Sequence, residues 1–332
     1  MRKIEIPIPG KEYNVLILEG ILNRVDEFLD VNGQFVIITD SNVEPRYLST
    51  LSSKLLNCKT YIINPGENSK SMETAYSLIN QMIEDGVTRD VSVVALGGGV
   101  VGDLAGFIAS IYMRGVKFIQ IPTTLLSQID SCVGGKVGIN SKSMKNSIGS
   151  FYQPSIVLID PLVLKTLSKR ELNNGFAEMI KYGMISSKPL IEALENGINI
   201  SDVSPYIEQC LLIKKALVLQ DEFDHGVRQL LNYGHTIGHA LEQDSKYSLL
   251  HGEAISIGMA KISQNEDYYQ RLVSLLHKYG LPTVYEYNKQ DVYNYITTDK
   301  KVKGNILNII RVKTLGKALV EPMEKIEIKE YL

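Results

Sequence analysis

The first 160 residues alternate short runs of apolar, largely β-branched residues with amphipathic stretches, and that rhythm leaves few folds open to the chain. Strands are predicted at 14–18, 35–39 (FVIIT), 60–64 (TYIIN), 91–96 (VSVVAL), 117–122 (KFIQIP) and 155–160 (SIVLID). Most lack polar alternation, as parallel strands covered on both faces do. Helical patterns at 20–30, 43–56, 71–85 and 101–112 fall between them. The expected fold is α/β, a Rossmann-like domain over residues 1–160. Amphipathic helices then dominate, at 169–185, 187–196, 203–222, 226–243, 252–264 and 267–279, so residues 161–332 are expected to form a mostly α-helical domain. ILNIIRV (306–312) and KALVEP (317–322), split by a TLG turn, predict a small hairpin near the end.

A length of 332 residues accommodates two such domains. A net charge of −2 gives no electrostatic footprint for nucleic acid or an anionic membrane, whereas a small anionic substrate needs only a local basic pocket. Cys58, Cys132 and Cys210 are odd in number and far apart, which predicts neither a disulfide framework nor a thiolate zinc site. MRKIEIPIPG lacks an apolar stretch of signal-peptide length, and no run reaches the length of a membrane span. A cytoplasmic protein is the expectation.

VSVVALGGGVVGDLAGF (91–107) reads as a strand, a triple glycine and a helix. Such glycines let the backbone approach a pyrophosphate at a helix N-terminus, although the loop is not G-x-G-x-x-G and by itself serves equally as a tight turn. Asp103 is expected in the first helical turn, as a cap or as a nucleotide contact. Asp40 and Asn42, Pro65-Gly66-Glu67 with Lys70, and Thr123-Thr124 follow other strands. Together they sit where a doubly wound sheet binds its ligand.

Arg228, Asn232, His235 and His239 are spaced 4, 3 and 4, so on one continuous helix they form a single polar stripe. Val227, Leu230, Leu231, Ile237 and Leu241 supply the apolar side. His235 and His251 offer two imidazoles to a metal, and Glu178 in NGFAEMIKYG is the best carboxylate, with His239 competing as a ligand. Spacing does not choose the metal, and each residue serves equally well as an ordinary hydrogen-bonded helix residue. Lys136, Lys145, Lys181, Lys214, Arg228 and the Lys300-Lys301 pair stand near Gly-rich turns or inside helices. Converged, they suit a substrate with both a phosphate and a carboxylate.

PGENSK (65–70), GGGVVGD (97–103), PTTLLSQIDSCVGGKVGIN (122–140), KNSIGSFYQP (145–154), AEMIKYG (177–183), DE followed by R-x-x-L-N-Y-G-H-T-I-G-H-A (221–240) and HGEA (251–254) occur in that order. From about Asp40 to Lys301 the chain thereby resembles the 3-dehydroquinate synthases, members of the sugar-phosphate cyclases. The resemblance implies that Glu178, His235 and His251 hold zinc, with cobalt as an alternative. It implies NAD contacts at Asp40, Asn42, Glu67, Lys70, Gly98, Gly99, Val100, Val101, Gly102, Asp103, Thr123, Thr124, Lys136, Lys145, Val163, Leu164, Lys165, Thr166 and Glu171. The implied catalytic residues are Asp130, Lys136, Asn146, Lys181 and His239, and substrate contacts add Lys214, Arg228, Asn232, Lys300 and Lys301. Arg114 matches a residue that reaches a neighbouring subunit, which implies a homodimer.

By the same resemblance, the substrate is a seven-carbon keto-acid sugar phosphate, and NAD is used without net consumption. Oxidation at C5 acidifies C6–H, phosphate leaves by β-elimination, and reduction and an aldol closure follow. Three rivals are a cyclase for a neutral sugar phosphate, of the 2-deoxy-scyllo-inosose synthase type, a metal-dependent polyol dehydrogenase, and an NAD-binding regulator without activity. Asp224 stands where the family pattern has Glu, a shorter reach for whatever contact it makes.

Overall fold

The apolar runs of the first half build one sheet. The computed structural model describes residues 1–142, 144–298 and 305–332. Strands β1 (Arg2–Ile6), β2 (Tyr13–Ile17), β3 (Gln34–Asp40), β4 (Asn57–Ile63), β5 (Ser92–Gly97), β6 (Lys117–Pro122), β7 (Lys136–Ile139), β8 (Ile148–Phe151) and β9 (Ile156–Ile159) belong to this half. Seven form a sheet in the order β1-β2-β9-β6-β5-β3-β4. Its six parallel members coincide with the six predicted strands. Alternate residues explain the unbroken apolarity of the central ones: Val36 and Ile38 of β3 enter one core cluster, Phe35 and Ile37 the other. β1 is an antiparallel edge strand whose RKIEI alternates exposed and buried, a pattern too short to stand out in sequence. β7 and β8 form a separate hairpin.

The helices depart more from expectation. The predicted helix at 20–30 is a 3-10 segment, Ile21–Glu27, with non-helical dihedrals at Arg24. The stretch 43–56 holds only a π turn, Glu44–Leu48, with Pro near its start, and the short α1 (Ser49–Ser52). Both lie over a sheet face, so burial of a few apolar residues is enough and regular helix is not required. α2 (Met72–Glu84) and α3 (Gly99–Ile111) form as expected and cover the opposite face.

Two compact units make up the chain: Met1–Leu167 with Ile200–Lys215, and Ser168–Asn199 with Ala216–Leu332. Helices α4 (Lys169–Ser186), α5 (Lys188–Asn196), α6 (Ser204–Gln220), α7 (His235–Asp244), α8 (His251–Ile262), α9 (Tyr269–Lys278) and α10 (Lys289–Thr298) follow in order. α10 was not anticipated; its apolar anchors are few, with Val292 and Ile296 buried one turn apart. The predicted hairpin is present as β10 (Ile306–Thr314) against β11 (Lys317–Glu324). No helix among the described residues is long and apolar enough to cross a membrane.

The predicted helix 226–243 is broken. A 3-10 segment, Val227–Asn232, ends at Tyr233, Gly234 takes φ 78, and α7 starts afresh at His235. The single polar stripe from Arg228 to His239 is therefore two pieces, and only His235 and His239 share a helix face. Glycine is required at 234 twice over, by its left-handed φ and because a Cβ would meet the Met259 backbone nitrogen at 2.8 Å.

Candidate active site: two sets of polar residues

In the first unit the parallel strands send their carboxyl ends to one sheet edge. Asp40 ends β3, Glu67 and Lys70 follow β4, the glycine run follows β5, and Thr123 and Thr124 follow β6. Gly98 caps α3, and a Cβ there would meet Thr124 Cγ2 at 3.0 Å. The first turn of α3 carries no acidic side chain, which leaves its N–H groups and dipole open to an anion. Val100, Val101 and Gly102 lie in that opening turn. The Thr123 hydroxyl is buried and has no hydrogen-bond partner among the described residues. These features fit a dinucleotide.

Asp103 is neither a cap nor in the first turn. Its Oδ2 accepts from Lys70 Nζ at 2.6 Å, and Lys70 also lies 3.5 Å from Glu67 Oε1. Burial raises the Asp103 carboxyl above its usual range, with Lys70 drawing part of that back. Glu67 accepts from Asn140 Nδ2 at 2.9 Å and lies 3.9 Å from Lys145 Nζ. Asn140 Oδ1 in turn accepts the backbone N–H of Asn146, which holds φ 52. One network thus joins residues that are far apart in sequence. Asp40 accepts from the backbone N–H groups of Asn42 and Val43, at 2.8 and 3.2 Å. Val163, Leu164, Lys165 and Thr166 form a 3-10 turn, and the Tyr47 hydroxyl bonds Thr166 Oγ1 at 2.6 Å. Lys214, buried, donates to the Asp130 carbonyl at 2.6 Å and lies 2.9 Å from its carboxylate. Lys136 opens β7, and exposed Arg114 sits at φ 69.

The second unit gathers the histidines. His235 Nε2 and His251 Nε2 lie 3.5 and 3.2 Å from Glu178 Oε1. Glu178, His235 and His251 each offer one ligand atom, all within 4.8 Å of one another, the donor set of a three-ligand metal site. The outer ring nitrogens are engaged as well: Nδ1 of His235 donates to the Tyr233 carbonyl at 3.1 Å, and Nδ1 of His251 meets Glu242 Oε2 at 3.3 Å. That arrangement points both Nε2 atoms at Glu178 and fits a divalent ion. Burial lowers His235 to about 3, which keeps it neutral. Burial also works to depress His251, but the Glu242 and Glu178 carboxylates outweigh it and push this ring up to about 9. A bound cation competes with that proton.

Local sequence explains the convergence. α7 and α8 meet through Gly234, Gly238 and Gly258; a Cβ on Gly258 would stand 2.0 Å from the Gly234 carbonyl oxygen. α4 presents Arg170, Asn174 and Glu178 at successive turns of one face. Arg170 grips Glu253 with two bonds of 2.7 Å, and Asn174 Oδ1 accepts the Gly252 N–H. Glu178 therefore arrives beside His251. Lys181, one turn on and buried, is in direct contact with Glu178 Oε2. Glu171 stands near the start of α4 and accepts from Asn174 Nδ2 at 3.3 Å.

Arg228 is held by a loop. The Asp221 carboxylate accepts the backbone N–H groups of His225, Gly226 and Arg228, at 2.9, 2.7 and 3.1 Å. The buried guanidinium donates to the Glu222 carbonyl. Asp224 in this loop holds φ 62, a left-handed conformation that Asp tolerates better than most residues. Asn232 closes the 3-10 segment, while Lys300 and Lys301 lie outside the described residues.

His239 Nε2 is 3.9 Å from Glu242 Oε2, and His239, Glu242 and His251 form a second possible ligand set. Sequence reading passed over Glu242, Asn174 and Arg170. The signal for Glu242 was present, since 242 follows 235 by seven residues and shares its helix face.

Comparison with known proteins gives one consistent picture. The family model described as 3-dehydroquinate synthase N-terminal matches residues 60–174, and that described as 3-dehydroquinate synthase C-terminal matches 175–302. The 3-dehydroquinate synthase of Streptococcus pneumoniae (strain Hungary19A-6) is 41% identical over 353 residues, covering 99% of each chain. A crystal structure of 2-deoxy-scyllo-inosose synthase with carbaglucose-6-phosphate, NAD+ and Co2+ superposes with TM-score 0.90 at 26% identity, over 99% of each chain. The 2-epi-5-epi-valiolone synthase of Streptomyces hygroscopicus subsp. jinggangensis 5008, with NAD+ and Zn2+ bound, gives 0.89 at 25% identity, over 98% of this chain and 96% of its own. An iron-containing alcohol dehydrogenase, at TM-score 0.64 and 14% identity, shares the fold alone.

Proposed function

We propose, from the premise that the chain belongs to the 3-dehydroquinate synthase family, that it cyclises 3-deoxy-D-arabino-heptulosonate 7-phosphate to 3-dehydroquinate with loss of phosphate. This is a phosphorus–oxygen lyase reaction of the shikimate route to aromatic amino acids. The observation that carries this choice among cyclases is the 41% identity along the full chain, against 26% for the inosose synthase.

NAD, when bound, would accept and return the C5 hydrogen, and a divalent metal would polarise the neighbouring hydroxyls. Everything else falls to the chain. Gly98 to Asp103, Thr123 and the Glu67–Lys70–Asp103 network would hold the dinucleotide, and Glu178, His235 and His251 the metal. Lys136, Asn146, Lys181 and Arg114 suit the phosphate. Lys214, Arg228 and one of Lys300/Lys301 suit the carboxylate, Arg228 through a two-bond fork. Asp130, paired with Lys214, would set where that ammonium points. His239, partly exposed beside the other two rings, suits proton relay. The reading extends to a cytoplasmic homodimer in which Arg114 serves the neighbouring subunit.

The direct test supplies metal-loaded protein and catalytic NAD with either the seven-carbon acid or glucose 6-phosphate and measures phosphate release. Release from the acid alone is expected; release from glucose 6-phosphate alone would reverse the substrate assignment.

Two substitutions refine it. Arg228→Lys keeps the charge but loses the fork, and Arg228→Ala loses both, so affinity for the acid should fall in that order. The Ala change should cost about 2–5 kcal/mol of substrate binding. Calorimetry showing unchanged affinity in both would remove Arg228 from the carboxylate. For His239→Ala the rate should drop by about 10²–10⁴ while metal content, read by atomic absorption, stays at the wild-type level. Loss of the metal would make His239 a ligand instead.

A further inference from the structure

We propose that Glu242 is a positioning residue for the metal centre: its buried carboxylate accepts Nδ1–H of His251 and thereby fixes Nε2 of that ring toward Glu178 and His235. This rests on the metal assignment made above and adds to it a residue that touches neither metal nor substrate. The geometry has three parts. Glu242 Oε2 lies 3.3 Å from His251 Nδ1, on the side of the ring away from Glu178. His251 Nε2 lies 3.2 Å from Glu178 Oε1, so the two ring nitrogens face two different carboxylates. Glu242 itself is only 2% exposed, on the face of α7 that also carries His235 and His239.

A buried carboxylate on a helix has a desolvation cost, and a structural role alone would be met as well by an apolar residue of the same volume. A carboxylate does two things that Leu cannot. It selects the tautomer in which Nε2 carries the lone pair, and it makes that nitrogen a stronger donor by stabilising positive charge on the ring. His235 receives the weaker equivalent from a backbone carbonyl, that of Tyr233 at 3.1 Å. The two imidazoles are therefore oriented by partners of different strength, and His251 is the ring whose donor power depends on a side chain.

The alternative role for Glu242 is direct ligation with His239 and His251, since those three also form a possible donor set. In that set His251 would have to use Nδ1, because Nδ1 is the atom that faces Glu242. The two roles make opposite demands on Glu178 and His239.

Cobalt(II) titration of the metal-free full chain, followed by visible absorption and by competition with a chromophoric chelator, separates them. Glu242→Gln and Glu242→Leu are to be compared with Glu178→Gln, His239→Ala and the unaltered protein. Glu242→Gln keeps volume and an acceptor oxygen but loses charge; it should weaken cobalt binding by about 10-fold, and Glu242→Leu by about 100-fold. Both should keep one cobalt per chain and shift the visible band, with far-UV circular dichroism and NAD binding unaltered. Glu178→Gln should abolish stoichiometric binding, and His239→Ala should leave it intact. Unchanged affinity and spectrum in both Glu242 variants, with Glu178→Gln still deficient, overturns the positioning role and leaves the metal assignment standing. Loss of stoichiometric cobalt in Glu242→Gln and His239→Ala, with Glu178→Gln still binding, makes Glu242 a ligand and overturns both. Failure of the unaltered protein to bind cobalt overturns the metal assignment together with the proposal.

Discussion

Turnover should disappear in Glu178→Gln and in His251→Ala, and metal affinity should fall by more than the ~10–100-fold that loss of an outer partner costs. The proposed site has three protein ligands, which leaves no redundancy if a position is to stay open for substrate. Glu178→Gln carries a second consequence. Lys181 is almost fully buried and in contact with the Glu178 carboxylate, so the substitution removes the anion beside a buried ammonium. Breaking such a pair costs about 3–5 kcal/mol. The variant should therefore melt earlier as well as lose its metal. Adding Lys181→Met should restore much of the melting temperature without restoring metal binding, which separates the two effects. Full metal content and retained turnover in either single variant, measured by atomic absorption and phosphate release, would reject these ligands.

The second large effect is expected from one methyl group. Gly258→Ala places a Cβ 2.0 Å from the Gly234 carbonyl oxygen and 2.9 Å from the Gly238 nitrogen. Both obstacles are backbone, so no side chain can swing aside. Contact distances return to normal only if α7 and α8 separate by about 1 Å or more. Overpacking of this kind costs about 1–3 kcal/mol where side chains yield, and more where they cannot. The separation also pulls His235 on α7 from His251 on α8, whose rings now stand 5.3 Å apart. Gly258→Ala is therefore expected to lower thermal stability and cobalt affinity together. The glycine loop and the Lys70–Asp103 pair of the first unit should be untouched, with NAD binding preserved. A stable variant with wild-type cobalt affinity would show that the helices have slack that the structure does not suggest.

These two expectations draw on different sources. Glu178, His235 and His251 stand out in the sequence because histidine and glutamate are conspicuous on otherwise apolar helices, and because the surrounding motifs resemble a known family. The glycines of α7 and α8 are equally visible as letters. Nothing along the chain says that 234 and 258 face each other, because that contact joins two helices through their backbones.

The same division runs through the fold. Five of the six parallel strands were legible because burial on both faces favours apolar residues at nearly every position, a signal that survives without knowledge of neighbours, while the edge strand β4 buries only Tyr61 and Ile63 fully. The edge strand β1, with one face buried over five residues, carries too little periodicity to be noticed. The helix expected across 226–243 failed at Tyr233-Gly234, where apolar spacing continued and the backbone did not. Glycine there serves both the left-handed turn and the approach of α8, and a tertiary demand overrode a local pattern.

By itself, then, the sequence determined the α/β class, the parallel strands, the family and the chemical types present: a glycine loop, three close histidines and scattered buried-type cations. These follow from composition and short-range spacing, which act residue by residue. Tertiary structure alone decided which charges meet. It paired Lys70 with Asp103, Lys214 with Asp130 and His251 with Glu242, across 33, 84 and 9 residues of chain. It also held Arg228 in a loop built on Asp221 where a helix stripe was expected. The physical reason is range. An ion pair or an imidazole–carboxylate bond depends on distances of about 3 Å, and the folded backbone sets those distances.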